Sequence, residues 1–323
     1  MRDTIPVLED EQVRDLLASV DVIDTLRRMF AGLAAGRAAQ PPQSLTLFPD
    51  DSGDVINYSG VNADQRVFGV KLSPYIVQSP RPVVTAWTLL MSMDSGRPLM
   101  LCDAKRLTTE RTAATTALAV DLLAPAQAAR LAVVGTGQVA LAHLRHVLPL
   151  RNWSQVHVHA RSLASLPATR VAEINAIAPA ARLVSGLQDA VRDADVILLC
   201  TSAGTTVLDP GTLSRPALIT SISTNAPRAH EIPPEALAGL QVYCDDRKGA
   251  PLSAGEMRIA AEAHGWSPDA ILGDLPELVA GTASPPAPGA HIFFRSIGLG
   301  LEDIAIATEI HRVHQARQTG RSA

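Results

Sequence analysis

Two features of the sequence carry residue types able to do chemistry. The first is Lys71, set inside the apolar run VFGVKL. A lysine in such a strand is costly unless it has a partner or a task. Its ammonium can hold a carboxylate, and burial that lowers its pKa would fit it to give up a proton near neutral pH. The alternative is a snorkelling surface lysine. The second feature is Gly135-Thr136-Gly137-Gln138-Val139-Ala140, a GxGxxA turn between the apolar run LAVV and the helical pattern ALAHLRHVL. In that setting the first glycine permits the tight turn and the second lets backbone approach a pyrophosphate. The helix N-terminus supplies amide hydrogens and positive dipole to the phosphates. An ordinary tight turn is the competing reading, but a further strand, VHVHARS, follows at the required distance.

The end of that second strand bears on which dinucleotide fits. NAD-binding domains place Asp or Glu there for the ribose 2′-hydroxyl. This chain has His159-Ala160-Arg161-Ser162 instead. Arg161 and Ser162 suit a 2′-phosphate, because a guanidinium pairs bidentately with phosphate oxygens. NADP(H) is therefore preferred, with NAD(H) possible. Gly135, Thr136, Gly137, Gln138 and Val139 are expected to line the cofactor, with Thr201, Ser223 and Ser296 at the ends of later strands.

The elements that must position these residues fall into two series. Glu9 to Ala34 has helical periodicity, and strand-like runs follow at Ser44–Phe48, Asp54–Ser59, Val67–Leu72 and Val83–Met91. Asp94-Ser95-Gly96 predicts a hairpin turn before Pro98–Asp103. Thr108 or Thr109 is expected to cap a helix that Pro125 ends. From Ala129 the pattern alternates between strand and helix through six strands, ending with LQVYCDD, which means a doubly wound α/β sheet. After the Pro/Gly-rich loop Gly281–Ala290, a strand runs into an amphipathic helix expected to pack on the first series. The fold class expected is α/β, a Rossmann doubly wound parallel sheet inserted into a discontinuous α+β substrate and dimerisation domain. The expected boundaries are 1–125 completed by 291–323, and 126–290 for the dinucleotide-binding domain.

Bulk properties narrow the function further. A chain of 323 residues exceeds what one core usually supports. A net charge of −4 without a basic stripe argues against nucleic-acid partners. The three cysteines are far apart, so neither a disulfide framework nor a cysteine zinc site is expected. No uncharged apolar run approaches the ~20 residues that cross a bilayer, and the first residues, MRDTIPVLEDEQVRDLL, are too acidic for a secretory leader. A cytoplasmic enzyme without a membrane partner is expected. The histidines form no HExxH, and Asp245, Asp246 and Asp303 have no cage-like spacing, so no metal is expected.

Taken in order, Lys71 in GVKLSP, the segment SMDSGRPLMLCDAKRLTTERTAATTALA, the GTGQ turn, NAPRAHEIP and FFRSIGLGLEDIAIA resemble the ornithine cyclodeaminase/μ-crystallin family. The resemblance spans nearly the whole chain. It implies a homodimer, with Lys71 and Arg111 of the discontinuous domain facing substrate carboxylate and cofactor; a structural salt bridge is the other reading of Arg111. Gln43 stands where the family often has a further carboxylate-binding arginine. Asn225 stands where the cyclodeaminase has the aspartate that handles the substrate amine, and an asparagine cannot serve as a carboxylate base. Lys71, Arg111 and Asn225 are thus the expected catalytic set, with Gln43 and Ile297 completing the substrate contacts. The activity implied is reduction of a small imine bearing an α-carboxylate, of the Δ1-pyrroline- or Δ1-piperideine-2-carboxylate type, or the reverse amino-acid dehydrogenation. A cyclodeaminase using NAD internally and a non-catalytic NADPH-binding protein are the alternatives.

Overall fold

The computed structural model describes residues 5–223 and 228–320. The chain divides into two compact units, Met1–Arg111 with Leu299–Ala323, and Thr112–Gly298. The division lies inside the helix Lys105–Leu123, not at Pro125, and the second boundary lies after Gly298, not before His291. Hydrogen bonding explains both differences. Strand Ile292–Arg295, expected in the first domain, pairs on both edges within the second sheet. Thr116, in the later turns of Lys105–Leu123, bonds His143 of the helix Gln138–Val147 at 3.0 Å.

The first unit is built on a sheet ordered Val7–Leu8, Pro98–Asp103, Trp87–Ser92, Val67–Ile76, Gly53–Asn62, Ala38–Ala39. Ser44–Leu47 also pairs with Gly53–Asn62, and Val83–Val84 with Val67–Ile76. All pairings are antiparallel except Val7–Leu8 with Pro98–Asp103. The single N-terminal helical pattern resolves into two helices, Asp10–Leu17 and Val22–Ala34, the second capped by Asp21 accepting from the Asp24 N–H.

On this sheet lies the terminal helix Gly300–Thr319. Gly60 and Gly69 are directly opposed on neighbouring strands. A Cβ on Gly60 would come within 2.7 Å of Leu301 backbone, and one on Gly69 within 2.6 Å of Ile304 Cδ1. Two facing residues without side chains thus let the helix lie flush on the sheet. The helix is not amphipathic in its first half as expected. Gly300 through Ala307 are all buried, because the sheet covers one side and the two N-terminal helices pack from the other.

The second unit carries an all-parallel eight-stranded sheet. Its order is Arg182–Val184, Gln155–His159, Arg130–Val134, Val196–Leu199, Leu218–Ser221, Ile292–Arg295, Gln241–Cys244, Ile271–Asp274. The six expected strands are present, with two more. Ile292–Arg295 is buried along its whole length, as a strand inside a sheet covered on both faces must be. The strand order reverses at Arg130–Val134, the topological switch at which open α/β sheets bind ligands.

Candidate functional site

In the first unit, strand register places Tyr58, Lys71, Thr88 and Cys102 side by side on the face that the terminal helix covers. Lys71 is 1% exposed. Its Nζ lies 2.8 Å from Asp303 Oδ2, donates to Thr108 Oγ1 at 3.3 Å and sits 4.3 Å from the centre of the Tyr58 ring. Thr108 in turn donates to Asp303 Oδ1 at 3.3 Å. Arg111, also buried, donates from Nη1 to Glu302 Oε2 at 2.9 Å, and its Nε is 3.5 Å from Asp303 Oδ1. Both carboxylates are fully buried in the first turn of Gly300–Thr319, where the helix dipole favours negative charge. Burial pulls the Lys71 pKa down from 10.5 to about 8; the Arg111 charge adds to the fall, and Asp303 opposes it.

Thr108 is not the expected cap. The helix Lys105–Leu123 begins a turn earlier, where Asp103 accepts from the Lys105 N–H, and this turns the Thr108 hydroxyl toward the charge cluster. Glu302, Asp303 and Thr88, whose buried hydroxyl has no partner among the described residues, are parts of this site that the sequence reading misses. Gln43 lies half-buried ahead of Ser44–Leu47. The neighbouring Gln40 is the early-loop glutamine that reaches the cluster's helix, accepting from the Leu301 N–H at 2.9 Å. Asn225 falls outside the described residues.

In the second unit, Gly135 has φ of 127°, and a Cβ there would stand 2.5 Å from the Cys200 carbonyl oxygen. Only glycine fits that turn. Gly137 precedes the helix Gln138–Val147 without any side-chain cap, and a Cβ on it would meet nothing within 4 Å. The first glycine is therefore required by the fold, and the second leaves open space at an uncapped ten-residue helix N-terminus. Gln138 is exposed, and Thr136 and Val139 are half-buried beside it. Arg161 and Ser162 are exposed just beyond Gln155–His159, and Arg161 has no ion-pair partner among the described residues. This arrangement fits a dinucleotide with a free cation at its ribose end.

The later strand ends are held by two buried carboxylates. Glu231 bonds Thr201, Ser221 and Ser223. Asp245 Oδ2 accepts from Ser296 Oγ at 2.9 Å, from the Ile297 N–H at 2.7 Å and from the Gly298 N–H at 2.8 Å. Burial raises the Asp245 pKa from 3.8 to about 6 against the pull of those bonds. Ile297 packs partly against the core of this unit. Arg295, wholly buried, is matched by Glu256 at 2.8 Å.

The sequence model of the ornithine cyclodeaminase/mu-crystallin family matches residues 5–318. The chain belongs to that family. It is 56% identical over 310 residues to the NAD(P)H-dependent anabolic L-arginine dehydrogenase of Pseudomonas aeruginosa, covering 96% of this chain and 98% of the relative. A Delta(1)-pyrroline-2-carboxylate reductase of Bacillus cereus is 22% identical, over 94% of this chain and 95% of that one. Among solved structures, the Thermococcus litoralis Delta(1)-pyrroline-2-carboxylate reductase in complex with NADH and L-proline superposes with a TM-score of 0.87. It is 21% identical and covers 97% of this chain and 98% of that chain, a likeness of fold.

Proposed function

We propose that this family member is an NAD(P)H-dependent amino-acid dehydrogenase that works by reducing an imine bearing an α-carboxylate, and that its amino acid is L-arginine. In the reductive direction the 2-oxo acid of arginine and ammonia lose water to give the imine. Hydride then adds to the imine carbon, and a proton to the nitrogen, giving the amino acid and NAD(P)+. The observation that carries the chemistry is the buried, charge-balanced set Lys71, Arg111, Glu302 and Asp303. The end-to-end 56% identity directs the reading to arginine over a cyclic imino acid.

When bound, the nicotinamide supplies or accepts the hydride. Arg111 binds the substrate carboxylate through its fork of donors, while Glu302 keeps the guanidinium oriented. Two cations and two carboxylates sum to no net charge. The cluster itself is therefore buried without a net charge, ready for the substrate's carboxylate. Lys71 Nζ, held by Asp303 and Thr108, gives its proton to the imine nitrogen and takes it back in oxidation; a pKa of about 8 suits both. Gly137 and the helix behind it receive the pyrophosphate, and Arg161 with Ser162 receives a 2′-phosphate, so NADPH is preferred over NADH. Thr201, Ser223 and Ser296 form the strand-end wall of the dinucleotide site, with Thr201 as its scaffold, and Gln43, Ile297 and Asn225 border the substrate.

The protein works as a homodimer in the cytosol. At one end of the first sheet Leu47, Asp54, Tyr75 and Val84 form a continuous cross-strand row. Leu47 is 71% exposed, Tyr75 42% and Val84 62%, an apolar surface that a second copy would cover. All three cysteines are free, and no described helix is long and apolar enough to cross a membrane.

The test is to follow NADPH absorbance with the 2-oxo acid of arginine plus ammonia, and with cyclic α-imino acids. Turnover fastest with the arginine 2-oxo acid is expected. Ammonia release from ornithine without net cofactor change would replace this reading with a cyclodeaminase. Tight NADPH binding without turnover on any of these substrates would replace it with a binding protein.

A further inference from the structure

Glu231 is fully buried, and its carboxylate gathers four donors from the ends of two adjacent parallel strands. Oε1 accepts from the Thr201 N–H at 3.0 Å and from Thr201 Oγ1 at 2.7 Å. Oε2 accepts from Ser221 Oγ at 2.7 Å and from the Ser223 N–H at 3.1 Å. Its own backbone is fixed as well, since its carbonyl accepts from the N–H groups of Val207 and Leu208 at 2.8 and 3.0 Å. All four partners of the side chain are donors. Only a group with two acceptor-only oxygens satisfies them, because a glutamine would turn an NH2 toward one of the two backbone N–H groups.

These strand ends are the first and second in line from the switch strand Arg130–Val134 along one direction of the sheet, and the Cys200 carbonyl abuts Gly135 of the glycine turn. Thr201 already has its partners there, since its hydroxyl donates to Glu231 and accepts from the Ala203 N–H at 3.1 Å. Ser223 is not. Its hydroxyl oxygen is buried and has no hydrogen-bond partner among the described residues. A buried hydroxyl left without a partner is destabilising, so its presence beside a ligand-binding sheet end points to a partner that arrives with the ligand.

We infer that Glu231 is a positioning residue of the dinucleotide site: it locks the backbone of Ser223 so that the unpartnered Ser223 hydroxyl meets the cofactor, with Thr201 serving as the scaffold. The inference rests on the cofactor reading above and deepens it. Glu231 contributes through acceptor geometry and touches neither cofactor nor substrate.

The experiment is a fluorescence titration of NADPH into wild type, Glu231→Gln, Ser223→Ala and the double variant, with thermal unfolding run on each. Glu231→Gln is expected to raise the NADPH Kd about tenfold, the scale of one hydrogen bond to a charged or polar ligand group. At saturating cofactor the KM for the imine should be unaltered. In the Ser223→Ala background the same substitution should cost no more than about twofold, because the two act on one contact. Equal costs in both backgrounds, or an unaltered Kd in Glu231→Gln, would overturn the inference while leaving the cofactor reading intact. A wild type that binds no NADPH would overturn both. If Glu231→Gln does not fold, Thr201→Val removes one donor to the same carboxylate; it should weaken binding severalfold, and wild-type affinity in that variant would also overturn the inference.

Discussion

Asp303→Asn isolates what the buried carboxylate does for Lys71. The substitution keeps shape and the capacity to accept from Thr108 while removing the charge 2.8 Å from Nζ. In the wild type, the fall of Lys71 from 10.5 to about 8 means that charging it in the folded protein is penalised by about 3 kcal/mol, even with Asp303 in place. An opposite charge this close usually moves a pKa by about one to three pH units, so Asp303→Asn should carry Lys71 down to about 5–7. The assay is kcat/KM against pH in both directions. Wild-type reduction, which needs the ammonium, should fall as pH rises through about 8, and oxidation, which needs the free amine, should rise there. Both limbs should move to lower pH in the variant. At pH ~7.5 the protonated fraction, and with it reduction, should drop between about threefold and two-hundredfold and recover in acid. The stability sign is fixed by linkage. A lysine whose folded pKa lies below its unfolded value binds fewer protons when folded, so its penalty is full at low pH and fades as pH rises toward 10.5. The variant should therefore lose more Tm at pH ~6 than at pH ~9. A uniform loss of activity with both limbs unmoved would refute the proposed coupling of Asp303 to Lys71.

Further perturbations separate fold from ligand. Gly137→Ala should keep or slightly raise Tm while raising the NADPH Kd at least about tenfold, since the added methyl meets only open space in the protein. Gly135→Ala should instead destabilise by about 1–3 kcal/mol in thermal unfolding, because φ of 127° and the Cys200 carbonyl both oppose a side chain. Arg161→Ala should lower the ratio of NADPH to NADH affinity by about tenfold in titrations, the loss of one charge-assisted contact. Tyr75→Glu, placed in the exposed row between Leu47 and Val84, should turn a dimer into monomers by sedimentation. Asp245 has a folded pKa raised to about 6, so its ionised form opposes folding at neutral pH. The wild type should gain stability relative to Asp245→Asn as pH falls from about 6 toward 4.

The parts of this molecule legible in its sequence are those whose physics is local. The glycine turn announces itself because a tight turn, a close backbone approach and a helix start must fall within six residues. Lys71 stands out because its neighbours along the strand are apolar. Ile292–Arg295 is legible as a strand but not as a member of the second sheet, since its apolar residues Ile292, Phe293 and Phe294 say that both faces are covered and not by what. The terminal helix misleads for a related reason. Periodicity reports one buried face, and a helix packed between a sheet and two other helices has no single face to report. Gln40 and Gln43 differ only in which one the loop path brings to Leu301, and spacing does not encode that path.

The missed carboxylates carry a signal of a different kind. Glu302-Asp303 stands in LGLEDIAIA, where two adjacent charges are as costly to bury as Lys71 in VFGVKL. Isolated charges of opposite sign in two apolar segments are buried at least cost by pairing with each other. It also gives the discontinuous first unit a physical cause. The cations Lys71 and Arg111 lie before the second unit in the chain, and Glu302 and Asp303 lie after it. Neither segment can bury its charges alone, so the cluster closes only when Gly300–Thr319 returns to the sheet, held there at Gly60 and Gly69. The same pairing that makes the unit fold as one body leaves a desolvated lysine with a pKa of about 8, near the working pH, as the proton transfer proposed above would use.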